Sequence, residues 1–156
     1  MAKDTPEEAA LSILISDSDY SNPDSLAALG LGTYPNGREL AVFVQDPIPN
    51  DIGVQPYIAI PACVSNVPLD AKSRRGFEFV IDIGVYAPNT GSLTLVNNLC
   101  RRVRDLLGNV KAWDIKGMIV ILTRIGWQGV APTDVTLTGR IVTITVMAQW
   151  SAEGRV

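Results

Sequence analysis

The clearest pattern in the chain is an alternation of apolar and polar side chains between residues 77 and 86. The apolar side chains share one parity and are Phe77, Phe79, Ile81, Ile83 and Val85. The other parity includes Glu78, Asp82 and Tyr86. Because residues two apart lie on the same face of a β-strand, this pattern predicts a strand with one buried face. The other face is expected to meet water or a partner.

Further apolar runs predict four more strands. They are Leu40–Gln45, Tyr57–Ile60, Met118–Trp127 and Thr138–Trp150. The last run repeats the alternation, with Val142, Ile144, Val146, Ala148 and Trp150 on one face. A long connection is expected between the last two strands, over Gly126–Leu137, because this segment contains Gly, Pro and Thr-Asp.

Three helices are predicted from their capping signals and apolar stripes. Thr5-Pro6-Glu7-Glu8 is typical of a helix start, and this helix should run to about Ile15. Asn22-Pro23 repeats the signal for a short helix that ends at Leu29. Ser92 should cap a third helix that ends before Gly108. The apolar stripe of this helix comprises Leu95, Leu99, Val103 and Leu106.

These elements predict a single α+β domain over residues 1–156, with a mainly antiparallel β-sheet and helices packed on one face. The polar segment Ser65–Gly76 is predicted to be an exposed, mobile hairpin loop. Its cations Lys72, Arg74 and Arg75 are the candidate partner-contact residues, and an ordinary solvated loop tip is the alternative. Residues 151–156 are expected to form a loose tail.

Composition argues against most catalytic chemistry. The chain has no histidine, so the usual general base near neutral pH and most zinc mechanisms are missing. Isolated loop carboxylates such as Asp46 and Asp51 are not fixed as a pair, and no metal-ligand motif is present. We therefore predict no enzymatic activity, no catalytic or metal-binding residues and no cofactor. A 47% hydrophobic chain with only 19% charged residues instead favours a protein that hides surface in an oligomer.

The net charge and the lack of targeting signals limit the classes of partner that are expected. The net charge is −3, which argues against gripping of DNA or RNA but not against a protein that surrounds DNA. The first residues lack the apolar core of a signal peptide, and no apolar run reaches the length of a membrane helix. We therefore expect assembly in a cytoplasm without a membrane partner. Cys63 and Cys100 are expected to be buried thiols, with a disulfide as the less favoured alternative.

The order of elements resembles the tail-terminator (tail-completion) proteins of long-tailed bacteriophages and related prophages. An N-terminal helical stretch and a proline-rich loop precede Gln55-Pro56-Tyr57-Ile58-Ala59-Ile60, and a polar loop precedes the alternating strand at 77–86. A Pro-Asn-Thr-Gly turn, an amphipathic helix ending in Leu106-Leu107-Gly108 and two strands follow. The resemblance covers roughly Leu26 to Trp150 as an order of elements.

This resemblance implies a homo-oligomeric ring, usually a hexamer, on the last ring of the tail tube. The ring would end tube polymerisation and offer a surface to the head-neck protein, at the head-proximal end of the tail in the virion. DNA would pass through the ring without specific binding, and no cofactor or catalytic residue is implied.

Two other hypotheses stay open at this stage. The chain could be another phage neck or tail component, such as a head-closure or tube protein, which also forms rings. It could instead be a small histidine-free α+β domain that binds a ligand or acts as an enzyme. A ring protein predicts self-association, whereas a ligand domain predicts a deep pocket with converging polar groups in the monomer.

Overall fold

The computed structural model describes residues 2–31, 40–44, 55–62, 65–71, 74–130 and 136–150. In chain order the elements are helix α1 (Pro6–Ile15), strands β1 (Val42–Val44), β2 (Tyr57–Ile60), β3 (Ser65–Ala71) and β4 (Arg74–Pro88), helix α2 (Thr94–Leu107), a 3₁₀ turn (Val110–Ala112), and strands β5 (Met118–Val130) and β6 (Leu137–Trp150). The predicted α+β class is confirmed.

The six strands form one sheet, in which five follow the order β1-β2-β4-β6-β5 and β3 pairs with β4 off this path. All pairings are antiparallel except that of β1 with β2. β4 is the organising strand, because β6 pairs along one of its edges while β2 and β3 share the other. β2 pairs with residues 84–86 of β4, and β3 pairs with residues 74–80. The sheet therefore has β1 at one end and β5 at the other.

Both helices cover the same face of this sheet, as the sequence predicted. α2 packs on β4 and β6, whereas α1 packs on β1, β2 and the side of α2. The core lies between these layers. It includes the buried side chains Ile81, Ile83, Val85, Val142, Ile144 and Val146 from the two central strands and Val96, Leu99, Cys100, Val103 and Leu107 from α2. The opposite, helix-free face of the sheet has no covering layer among the described residues.

Helix α1 begins where its capping signal predicts. The hydroxyl oxygen of Thr5 accepts a hydrogen bond from the Glu8 backbone N–H at 3.2 Å, and Pro6 occupies the first turn. The Glu8 carboxylate accepts from the backbone N–H of Asp4 at 3.3 Å. The first contact satisfies an N–H group that the first turn of a helix leaves without an internal partner, and the second holds the residue before the cap. The cap therefore fixes the entry of the chain into the core layer.

A compact loop after α1 replaces the second predicted helix. The segment 20–30 consists of turns, so the prediction of a helix from Asn22-Pro23 to Leu29 was wrong. Local side-chain acceptors explain the difference, since the Asn22 side chain accepts from the N–H of Asp24 and the Ser25 hydroxyl accepts from that of Ala28. Such bonds compete with helical ones in short segments.

Residues 65–71 and 74–76 are paired in antiparallel strands rather than forming a loop. The prediction of a loop was wrong for Ser65–Ala71, which pairs residue by residue with β4 from Ser65↔Val80 to Ala71↔Arg74. Hydrogen bonds to β4 satisfy the backbone N–H and C=O groups of this segment. Its polar side chains gave no indication of this pairing. β5 and β6 also extend further than predicted, to Val130 and from Leu137, which shortens their connection. The tail at 151–156 lies outside the described residues.

Candidate interaction surfaces

Two of the three candidate contact residues lie where β4 begins to pair with β3. Arg74 and Arg75 are the first residues of β4, where they pair with Ala71 and Asp70, and only their backbone is described. Lys72 lies outside the described residues. The structure thus places the backbone of two predicted residues at one tip of the sheet, and their role in partner contact stays a prediction.

The helix-free face carries a row of aromatic rings across β1, β2 and β4. Tyr57 stacks on Tyr86 with ring centroids 4.8 Å apart, and Phe43 meets Tyr57 at 6.4 Å in a tilted arrangement. The row depends on Gly84, because a Cβ atom there would lie 2.8 Å from the ring of Tyr86. Glycine therefore lets the Tyr86 ring lie flat over its own strand.

A carboxylate lies beside this aromatic row. Asp82 is half-buried on the helix-free face of β4 and accepts a hydrogen bond from the Thr143 hydroxyl of β6 at 2.7 Å. Asp82, Gly84 and Tyr86 contribute to a surface cleft of about 200 Å³. The alternation in the sequence predicted this polar face, and the structure shows it to be a mixture of aromatic, aliphatic and acidic groups.

The outer strand β5 exposes a patch of aliphatic side chains that the sequence analysis did not find. Ile119 and Ile121 are each 52% exposed, and Leu122 is 42% exposed. A β-bulge lies here, because Val120 and Leu122 pair with the adjacent residues of β6 and leave Ile121 as an extra residue. We call these three residues the β5 edge patch. The sequence analysis did not find this patch because the run Met-Ile-Val-Ile-Leu is apolar throughout, so no alternation shows which side chains are buried and which are exposed.

One ion pair ties the loop after α1 to α2. The Arg102 guanidinium donates to the two carboxylate oxygens of Asp17 at 2.8 and 2.6 Å, and the Leu26 N–H donates to the same carboxylate at 2.8 Å. Burial raises the pKa of Asp17, but hydrogen bonds from Arg102 and Leu26 and the charge of Arg102 outweigh it, so the net pKa is lowered. This pair is structural, since its groups satisfy one another.

The described residues offer little for catalysis or metal binding. No cluster of three or more acidic or cysteine side chains that could hold a metal is found in the described ranges. Cys100 is a buried free thiol, and burial raises its pKa to about 11 although Arg140 and Arg104 oppose the shift. Cys63 lies outside the described residues. In the part of the chain that the structure describes, no helix has the length and apolarity needed to cross a membrane.

A larger cleft, of about 400 Å³, lies where the loop after α1 meets α2. Asp24, Arg101, Arg102 and Asp105 are among its lining residues, so charges of both signs are mixed there. Arg102 is already held by Asp17. One of its two cations is therefore already engaged in a structural ion pair.

Comparison with known proteins gives a likeness of fold. No protein-family model matches the chain, and no curated protein sequence does so. Among solved structures, a chain in the virion of a native gene transfer agent particle is similar over 94% of this chain and 95% of its own length, with a TM-score of 0.67. The two sequences are 16% identical, so the likeness establishes the fold. A second solved structure covers 92% of each chain at 15% identity, but its TM-score of 0.48 is too low to support an argument.

Proposed function

We propose that this chain is a structural component of a phage-like virion and acts as its tail terminator. The main support is the likeness in fold, over nearly the full length of both chains, to a protein of a gene transfer agent virion. The order of elements along the sequence, which resembles that of tail-terminator proteins, is a second support for this proposal. In this proposal the chain forms a hexameric ring on the last ring of tail-tube protein, and it contacts the head-neck protein on its other side.

The exposed surface of the described residues agrees with an assembly role. A sheet whose second face is not covered and whose outer strand exposes three aliphatic side chains presents apolar area that oligomers bury. Acidic groups such as Glu78 and Asp82 and a net charge of −3 suit a ring through which DNA slides without being held. The hairpin end with Lys72, Arg74 and Arg75 is the proposed contact with tail or neck partners.

Tube assembly in vitro tests the terminator role directly. Tail-tube protein encoded beside this chain is allowed to polymerise with and without the purified chain, and tube lengths are measured by electron microscopy. We expect shorter tubes with a ring of this protein at one end. Unchanged tube length with no end-bound protein would refute the terminator role.

Particles made without this gene product separate the terminator from its relatives. Loss of a terminator should give overlong tails that are not joined to heads. Normal tails beside heads that have lost their DNA would indicate a head-closure protein, and an absence of tails would indicate a tube protein. Light scattering of the purified chain completes the test, because a stable dimer at all concentrations contradicts a ring.

A further inference from the structure

The exposed apolar side chains of the molecule fall into two groups. In the described ranges, the large exposed apolar residues other than Leu93 lie either in the β5 edge patch or near the C-terminal end of α1, at Ile15 and Tyr20. Ile15 is 44% exposed and Tyr20 is 59% exposed. Two such groups on one small domain indicate two separate contact surfaces.

These two groups carry opposite charge. Around the β5 edge patch, exposed Lys111, Lys116 and Arg124 outnumber the single exposed carboxylate of Asp114. Beside Ile15 and Tyr20 the exposed charges are acidic.

The acidic residues of the second group are Asp19 and Asp24, and both are exposed. Along the sequence no cation lies between Ile15 and Asp24, and Asp17 in the same loop is neutralised by Arg102. Exposed Arg101 of α2 shares a cleft with Asp24, but exposed Asp105 lines that cleft as well. We call Ile15, Asp19, Tyr20 and Asp24 the α1 end patch. An aliphatic surface flanked by cations thus complements an apolar surface flanked by carboxylates.

The loop geometry holds the α1 end patch in place. The Ser25 hydroxyl donates to the backbone carbonyl of Asp19 at 2.7 Å, and the Ser21 hydroxyl and N–H donate to the Asp19 carboxylate at 2.6 and 3.0 Å. The Asp17–Leu26 bond closes the base of the same loop. The patch is therefore pre-organised, which reduces the entropy lost on binding.

The two patches are formed by different elements of the fold. β5 is the last strand at one end, whereas α1 packs on β1 and β2 at the other. The residue Lys3, before α1, does reach Ile115 ahead of β5. The other end of α1 approaches the 3₁₀ turn, because Ser16 and Ala112 line one cleft. The inference therefore rests on two separate surfaces of unlike charge and not on their distance.

We infer that the β5 edge patch of one copy docks on the α1 end patch of the next copy, in a head-to-tail contact. Two different, complementary surfaces on one chain generate a ring or a filament rather than a two-fold dimer. The occupant of each patch is thus a second copy of this chain. This inference rests on the proposed function, because it assigns the contact that closes the proposed ring.

The contact uses side chains and not an added backbone strand. β5 has two register irregularities, between Val120 and Leu122 and between Ile125 and Gln128. Bulges on an edge strand bend it and disfavour pairing with another chain. The same bulge places Ile121 outside the regular pairing beside exposed Leu122, so the apolar side chains remain available for docking.

Charge reversal at each patch gives a test with an internal rescue. Variant A carries K116E and R124E, and variant B carries D19K and D24K. In a head-to-tail contact each variant alone places like charges against each other and should lose assembly, by at least about tenfold in the concentration required, which corresponds to 1.4 kcal/mol. An equimolar mixture restores opposite charge at every contact of a ring in which A and B alternate, so it should assemble like the wild type.

Sedimentation velocity with wild type, A, B and the mixture is the measurement. R104E reverses one exposed charge on α2 outside both patches, so it is the matched control for R124E and should assemble normally. D24K alone, mixed with R124E alone, serves as the second pair if D19K disturbs the loop. Circular dichroism confirms that each variant is folded.

The outcomes separate this inference from the proposed function. If the wild type forms rings and the charge variants assemble equally well, or if the mixture of folded variants fails to assemble, the assigned contact is wrong while the ring stands. If the wild type itself forms no ring alone or on tube ends, the proposed function fails first. Assembly restored only in the mixture establishes the contact.

Discussion

The ion pair between Asp17 and Arg102 gives the sharpest stability prediction. Replacing Asp17 with asparagine removes the charge that accepts two bonds from Arg102 and one from the Leu26 N–H. Asp17 is only 9% exposed, so water cannot fully replace these bonds.

The size of the effect follows from burial and bond number. Hydrogen bonds to charged groups contribute roughly 1.5–3 kcal/mol each, and breaking a fully buried pair costs roughly 3–5 kcal/mol. The Arg102 side chain is 23% exposed, and asparagine can still accept one bond, so solvent and the amide recover part of this loss. We expect D17N to lower the free energy of unfolding by about 2 kcal/mol.

The difference in unfolding free energy between wild type and D17N should become smaller at low pH. Because the folded-state pKa of Asp17 is lowered, its contribution is fully present above the ordinary pKa of about 3.9 and is lost as pH falls through the folded-state value. Urea unfolding at pH 7 and 5 should therefore show the same gap between wild type and D17N, and the gap should narrow below pH 3.9. D114N, an exposed carboxylate, is the matched control.

Two results would refute this reasoning. One is a difference below about 0.5 kcal/mol at pH 7, which is the range of ordinary surface substitutions. The other is a gap that stays constant well below the folded-state pKa, since it would then come from side-chain shape and not from charge. A double-mutant cycle with R102M isolates the pairwise term.

Three further predictions concern the core and the surface. Leu99→Ala should cost roughly 2–5 kcal/mol in urea unfolding because Leu99 is fully buried between α2 and the sheet, whereas half-buried Leu95→Ala should cost less; equal costs would mean that the stripe is misplaced. In a Cys63→Ser background, Cys100 should react with a thiol reagent far more slowly at pH 8 in the native state than in denaturant, because its pKa is raised to about 11. The subunit should bind duplex DNA no more tightly than about 10⁻⁶ M near physiological salt by fluorescence anisotropy; submicromolar binding lost with R74A/R75A would instead make the hairpin a nucleic-acid site.

The sequence predicted those elements whose pattern is strictly local. The cap at Thr5 and the alternation around Phe79 both carry their own signal, and the structure confirms them. The helix near Ser92 was predicted one residue early, because Leu93 is the N-cap, whereas the Ser92 hydroxyl accepts a hydrogen bond from the N–H of Thr94. A short polar side chain before a helix can satisfy an N–H without being the cap itself.

The missed features depend on pairing between strands, which the side-chain pattern of a single segment does not show. Strand β3 is polar and contains Pro68, and only its pairing with β4 makes it a strand. The β5 edge patch was missed because its apolar run gives no face assignment, and exposure of Ile121 follows from a bulge against β6. The candidate site was therefore predicted only in part. The cations of the segment 65–76 were identified as candidate contacts, but strand β3, which pairs with β4 there, was not predicted.

The position of β6 between β4 and β5 has a consequence for folding. The two strands that β6 joins come earlier in the chain, and its bond from Thr143 to Asp82 closes a separation of 61 residues. Closing such a long loop is entropically slow, so the chain should fold in milliseconds to seconds, as other domains dominated by distant pairings do. Until β6 is synthesised, β4 and β5 each expose the strand edge that pairs with β6 in the native sheet. Premature pairing of these edges between nascent chains is thus the main hazard on the way to the native fold.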